Sequence, residues 1–158
     1  LKPRLARSGL SNVHPAALAH ERDERVKRLA GKIDRVLVDA PCSGLGTLRR
    51  DPDLKWARDE PSLAGFAARQ RRLLAEAARV VAPGGRLVYA TCSTEPEENE
   101  DIVSWFAAAH PTFRRAAPPA SWRHGPLAEV LAADGALRTT PERHGLDGFY
   151  AAAFERRG

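Results

Sequence analysis

The stretch Ile33-Asp34-Arg35-Val36-Leu37-Val38-Asp39-Ala40-Pro41-Cys42-Ser43-Gly44-Leu45-Gly46 decides the fold. Its first part, Ile33–Val38, is a β-branched apolar run that predicts a buried, central strand. Its second part reads as a ligand loop, because Pro41 stiffens the backbone while Gly44 and Gly46 allow close approach. A second stretch repeats the design: Arg86-Leu87-Val88-Tyr89-Ala90-Thr91 predicts a buried strand that runs into Cys92-Ser93. The two loops hold both cysteines of the chain. In a parallel α/β sheet, ligands bind beyond the carboxyl ends of the strands, which is where both thiols would stand.

Between the two loops, the polar and basic stretch Arg49–Arg58 precedes the clearest helix, Pro61–Val81. Leu63, Phe66, Ala67, Leu73, Leu74, Ala77, Val80 and Val81 recur there at spacings of three and four. Asp59 and Glu60 suit the positive end of that helix, and Pro83-Gly84-Gly85 suits its stop. Thr94 and Glu97 have the spacing of a capping box for a further helix carrying Ile102, Val103 and Phe106 on its inner face. Ala116–Gly125 is Pro-rich and reads as loop. Leu137–Thr140 and Gly148–Phe154 read as two antiparallel strands that close the domain. Upstream, a helix ends at Ser8-Gly9, Asn12–Leu18 is a weak strand candidate interrupted by Pro15, and Asp23–Ala30 suits a short helix. Strand–helix–strand alternation implies an α/β sheet with a parallel centre.

The 158 residues fit one domain, and a hydrophobic content of 43% with 28% charged residues is that of a soluble globular protein. A cytoplasmic location is the default in the absence of a membrane-length apolar run or a leader-like start. The net charge of +5 suits a polyanionic partner such as nucleic acid, although an arginine-rich genome would give the same balance. The chain has no methionine and begins inside an apparent helix, as the C-terminal part of a longer protein would.

A thiolate is a good nucleophile, and a free cysteine has a pKa near 8.5. Cys92 precedes the expected helix, whose positive end would lower that value, while the acidic run Glu95–Asp101 would raise it. Other readings of the cysteines stay open at this point: small buried residues, a disulfide, or metal ligands. No histidine stands at ligand spacing, which makes a poor zinc site.

The longer strings resemble a known family. Asp39-Ala-Pro-Cys-Ser-Gly-Leu-Gly-Thr-Leu-Arg-Arg-Asp-Pro-Asp-Leu-Lys-Trp56 is similar to motif IV of the Sun-family RNA cytosine-5 methyltransferases, the group containing 16S rRNA methyltransferase B. Gln70, Pro83–Ser93, Glu97-Glu-Asn-Glu100, Arg138-Thr-Thr-Pro141 and Asp147-Gly-Phe-Tyr150 continue the match in order, from about Ile33 to the C-terminus. The resemblance implies methyl transfer from S-adenosylmethionine to cytosine C5 of an RNA, with rRNA the family's commonest substrate; a monomer with no metal and no membrane partner is expected. It implies that Cys92 attacks C6 of the base and that Cys42 assists release of the adduct. It places Asp39 near both cofactor and base, and Pro41 beside the cofactor. Arg49, Arg50 and Lys55 become candidate phosphate contacts, or a merely solvated basic loop. Trp56 would stack on a base or, as the plainer expectation, pack against the sheet edge.

The family's fold is a Rossmann-like class I methyltransferase sheet. Against it the chain lacks the first two strands and the glycine-rich cofactor loop, so an incomplete α/β sheet is expected. Where a third acidic position would follow the strand near Val13, Ala17-Leu18-Ala19-His20 stand instead, with Glu21 and Asp23 beyond. Residues 1–30 are therefore expected to be a poorly anchored remnant and residues 31–158 the core. A non-catalytic RNA-binding remnant of such an enzyme is the alternative function.

Overall fold

The computed structural model describes residues 2–57 and 59–158. Leu1, at the start of the expected first helix, and Arg58, at the end of the basic stretch, lie outside the described residues. Helix α1 (Lys2–Ser8) ends at Gly9 with φ 68°. Helix α2 (Glu24–Lys27) starts at Asp23, whose carboxylate accepts from the backbone N–H of Arg25. Between them the expected strand at residues 12–18 does not form. Pro15 removes a donor there, and no strand of the sheet lies alongside to pair with it. Val13 and Leu18 are 42% and 47% exposed, and no described residue between 3 and 30 is buried. Ion pairs Arg22–Glu76 at 3.0 Å and Glu21–Arg72 at 3.2 Å attach this segment to the rest, while Asp23 pairs with Arg25 at 2.7 Å.

Strand β1 (Ile33–Asp39) leads through a short 3-10 turn at Leu45–Thr47 and helix α3 (Leu54–Ala57) to helix α4 (Glu60–Val80). Asp59 caps α4: its carboxylate accepts from the N–H of Ser62 while Ser62 Oγ accepts from the N–H of Asp59, a reciprocal pair. The buried face of α4 carries Ala67, Leu74 and Ala78, and Leu74 alone removes enough apolar surface to stabilise by about 2 kcal/mol.

No loop separates α4 from strand β2 (Val81–Thr91). Pro83-Gly84-Gly85, expected to stop the helix, sits inside β2 instead. Ile33 pairs with Val81 but Arg35 pairs with Arg86, so Ala82–Gly85 bulges out opposite Asp34. Gly84 makes the bulge possible with φ 74°.

Helix α5 (Glu100–Ala109) buries Ile102, Val103 and Phe106, as its spacing predicts. The expected capping box does not form: the Thr94 hydroxyl donates to the Glu95 carboxylate, and a 3-10 turn at Pro96–Glu98 intervenes before α5. Strand β3 (Phe113–Arg115), too short to show a period in sequence, precedes strand β4 (Leu137–Thr139), helix α6 (Pro141–His144) and strand β5 (Phe149–Arg156).

The sheet order is β1-β2-β5-β3, with β4 also paired to β5. β1 and β2 are parallel, whereas every pairing of β5 is antiparallel. β1 is thus an edge strand of this sheet, not the central one its composition suggests, and β5 lies in the middle. On one face Leu87, Tyr89, Tyr150, Ala152 and Phe154 are buried beneath α4 and α5. The Phe106 ring meets those of Phe154 and Phe113 at centroid distances of 4.6 and 5.3 Å. Among the described residues no helix is long and apolar enough to cross a membrane.

Candidate active site

Asp39 ends β1 directly opposite Ala90 of β2, so the two parallel strands deliver both cysteine loops to the same sheet end. The ladder continues one step, with the Ala40 N–H donating to the Ala90 carbonyl at 2.9 Å. Beyond it the loops converge until Cys42 Sγ and Cys92 Sγ stand 3.3 Å apart, both half-buried. A third loop seals the junction. The Gly46 N–H donates to the Cys92 carbonyl at 3.0 Å, and the Gly148 N–H donates to the Gly46 carbonyl at 2.7 Å. A Cβ on Gly46 would lie 2.1 Å from the Gly148 oxygen and 2.8 Å from the Cys92 oxygen.

Beneath the thiols sits Glu98, fully buried. Its carboxylate accepts from the Ser43 N–H at 2.9 Å, the Ser43 hydroxyl at 2.5 Å, the Ser93 hydroxyl at 2.6 Å and the Gln70 amide at 2.9 Å. The Gln70 amide also donates to the Pro41 carbonyl, and the Tyr89 hydroxyl to the Glu98 carbonyl. Asn99 braces the second loop, accepting from the Thr91 hydroxyl and donating to the Ser93 carbonyl.

Burial, then the hydrogen bond and charge of Cys92, push the Cys42 thiol up to about 12. Cys42 therefore keeps its proton near neutral pH, and in the sulfur–sulfur contact either sulfur can be the donor. Nor does Cys92 lie against a helix start, since α5 begins only at Glu100.

Asp39 is exposed and Pro41 half-buried at the end of the edge strand, so both face the open side of the sheet. An exposed carboxylate at a strand end can accept from amine and hydroxyl donors of the kind a nucleoside carries. The basic loop is more committed than its sequence suggests. Arg50 Nε lies 2.7 Å and Arg49 Nη2 3.3 Å from the carboxylate of Asp147, whose side chain is nearly buried. Lys55 stands 4.7 Å from the centroid of the Trp56 ring. Trp56 does not pack against the sheet edge: it is 80% exposed, because α3 carries it away from β1 and β2. Among the described residues, no group of three or more His, Cys, Asp or Glu is placed to hold a metal ion.

Sequence reasoning singled out the cysteines and missed the group beneath them. Glu98 appears there only as part of a matching string within an acidic run that reads as surface. The available signal was that each cysteine is followed by a serine, two short donors needing one acceptor.

The chain matches the family model for 16S rRNA methyltransferase RsmB/F over residues 5–155, which extends the relationship upstream of Ile33. It is 34% identical over 161 residues to a probable ribosomal RNA small subunit methyltransferase B of Bacillus subtilis, covering 100% of this chain and 35% of that protein. It is 36% identical over 158 residues to ribosomal RNA small subunit methyltransferase F of Klebsiella pneumoniae, covering 99% and 32%. It thus spans about a third of the length of these relatives. A methyltransferase homologue from Pyrococcus horikoshii superposes with a TM-score of 0.74 at 29% identity, over 98% of this chain and 48% of that one. The five-stranded mixed sheet is accordingly part of a Rossmann-like methyltransferase sheet, and the chain belongs to the RsmB/F family of 16S rRNA methyltransferases.

Proposed function

We propose that this chain contributes the cysteine half of an active site that methylates cytosine C5 in RNA, rRNA foremost, as part of a longer enzyme. The observation that carries the reading is the pair of thiols 3.3 Å apart at the carboxyl end of two parallel strands. Cytosine C5 is too weak a nucleophile to take a methyl group unaided. The Cys92 thiolate adds to C6, forming an S–C6 bond and moving the C5–C6 π pair onto C5. S-adenosylmethionine, when bound, supplies an electrophilic methyl for that carbon. Loss of the C5 proton to a base then restores the double bond and expels Cys92 as thiolate.

Cys42 matters in that last step. Its retained proton lies within hydrogen-bond distance of Cys92 Sγ, where it stabilises the departing thiolate. Asp39 and Pro41 line the side on which the cofactor docks, and Asp39 also hydrogen-bonds the cytosine edge as charge builds on the ring. Arg49, Arg50 and Lys55 border the approach of the RNA backbone, with the target base turned out of its stack to reach the sulfurs.

The test is trapping in the full-length protein that carries this chain. Incubated with S-adenosylmethionine and 16S rRNA, Cys92→Ala forms no covalent adduct and Cys42→Ala accumulates one on a denaturing gel. The reverse pattern assigns the nucleophile to Cys42 and overturns the roles. Absence of adduct in both variants and of methylation in the parent favours an RNA-binding remnant.

A further inference from the structure

We propose that Glu98 is a positioning residue that fixes the distance between the two cysteines. The inference rests on the reading of Cys42 and Cys92 as a working pair, and it adds a group that itself touches neither sulfur. Three features carry it.

The first is the symmetry of the attachment. Cys42 is followed by Ser43 and Cys92 by Ser93, from strands far apart in sequence, and both hydroxyls converge on the same carboxylate oxygen, at 2.5 and 2.6 Å. One atom of Glu98 thus holds the residue next to each thiol. The second feature is charge. All four groups facing the carboxylate are donors: two hydroxyls, the Ser43 N–H and the Gln70 amide. Four donors fill the four lone-pair sites of an ionised carboxylate. The short O–H···O distances are those of hydrogen bonds to an anion. The third feature is burial. Glu98 is fully buried and forms no ion pair among the described residues. A desolvated anion held only by hydrogen bonds is costly to leave half-satisfied, so each serine loop is drawn to it and neither drifts freely.

Other ties between the loops are the Ala40–Ala90 and Gly46–Cys92 backbone bonds and the 3.2 Å contact of the Ser43 and Ser93 hydroxyls. Gln70 holds the Pro41 carbonyl and Asn99 the Ser93 carbonyl, each bracing one loop. Glu98 is the group that accepts from both Cys-Ser turns at once. A thiol pair held at contact distance is what hydrogen-bonded transfer of adduct release from one sulfur to the other requires.

The closing experiment measures sulfur–sulfur approach directly, in this chain, with neither RNA nor methyl donor present. Diamide oxidises a neighbouring thiol pair: two S–H bonds are lost, an S–S bond forms, and the azo group is reduced to the hydrazine. The rate of intramolecular cross-linking, followed by mass spectrometry, reports how often the sulfurs close to bonding distance. Glu98→Leu conserves volume and removes every acceptor, and it should slow cross-linking about tenfold or more. Glu98→Gln keeps an oxygen for the Ser43 N–H and Gln70 and offers its amide hydrogens to the two serine oxygens, so it should restore most of the rate. Ser93→Ala unties the second loop alone and should also slow the reaction, which keeps the test decisive if Glu98→Leu does not fold. Leu74→Ala, a core truncation away from the loops, should lower the melting temperature without changing the rate well below it. Wild-type cross-linking rates in folded Glu98→Leu and Ser93→Ala would overturn the proposal. Because the readout needs no methylation, its failure is distinct from failure of the adduct-trapping test.

Discussion

Gly46→Ala should disrupt the junction of the three loops more than its one added methyl suggests. Gly46 is buried, and its new Cβ would lie 2.1 Å from the Gly148 oxygen and 2.8 Å from the Cys92 oxygen. Both obstacles are main chain, so no rotamer change relieves them. Reaching ordinary van der Waals separation requires the Gly148 strand end to retreat by roughly 1.3 Å. That breaks the 2.7 Å bond from the Gly148 N–H to the Gly46 carbonyl and strains the 3.0 Å bond from the Gly46 N–H to the Cys92 carbonyl. Overpacking costs about 1–3 kcal/mol and each lost hydrogen bond about 0.5–1.5 kcal/mol, giving a destabilisation of about 2–5 kcal/mol. For a domain of this size that lowers the melting temperature by roughly 5–15 °C. Thermal unfolding followed by circular dichroism gives the shift, and diamide cross-linking of the same samples shows whether the thiols have separated. Gly65→Ala is the matched control: nothing lies within 4 Å of its Cβ on α4, so helix propensity alone should stabilise by about 0.5–1 kcal/mol. A Gly46→Ala protein that melts within about 2 °C of the parent and cross-links at the parent rate would refute the steric reasoning.

Titration of Cys42 should be visible in stability. Burial raises its folded pKa to about 12, above that of a free cysteine, so the folded state binds that proton more tightly than the unfolded chain. The contribution is full below pH 9 and is lost as pH rises towards 12. Cys92→Ser removes a cause of the shift, so Cys42 alkylation by iodoacetamide should begin at lower pH than in the parent. Trp56→Ala should leave the melting temperature within the scatter of surface substitutions, about 0.5 kcal/mol, since the ring is 80% exposed. If the ring stacks on RNA, the same change weakens single-strand binding by about 1–3 kcal/mol, measured by fluorescence anisotropy. Arg50→Ala should reduce the salt slope of RNA binding by about 0.7 if the guanidinium touches a phosphate while held by Asp147; an unchanged slope makes it purely structural.

The parts of the fold legible in sequence are those whose signal is local. α4 declares itself by apolar spacing and by Asp59 before it, and β1 and β2 by their apolar runs. What was misread depended on partners elsewhere in the chain. Pro83-Gly84-Gly85 looks like a stop, yet β1 offers Asp34 as the single residue around which a bulge can form, and the strand begins early. Asn12–Leu18 has a strand's composition without a neighbour to pair with. Ile33–Val38 reads as central because it is apolar, and it stands at the edge here because this sheet is only part of the methyltransferase sheet. Thr94 and Glu97 have capping-box spacing, but Ser93 is drawn to Glu98 and accepts the Glu95 N–H, which starts a 3-10 turn where a cap would have been.

The same locality explains the site. A cysteine after a strand is visible in sequence, but whether two such cysteines meet depends on strand adjacency, and whether they stay together depends on what lies beneath. Parallel pairing of Asp39 with Ala90 brings the loops to one end, a consequence of α4 crossing back over the sheet. Glu98 lies six residues past Cys92, on a turn whose burial under α4 and Tyr89 no hydropathy pattern foretells, because a lone glutamate in an acidic run has every appearance of surface. Its position follows instead from counting donors. Ser43, Ser93 and Gln70 each bring a polar group into the buried interior, where such groups need a hydrogen-bond partner. The four donors that Ser43, Ser93 and Gln70 bring beside the two thiols are gathered by the two oxygens of one side chain, Glu98.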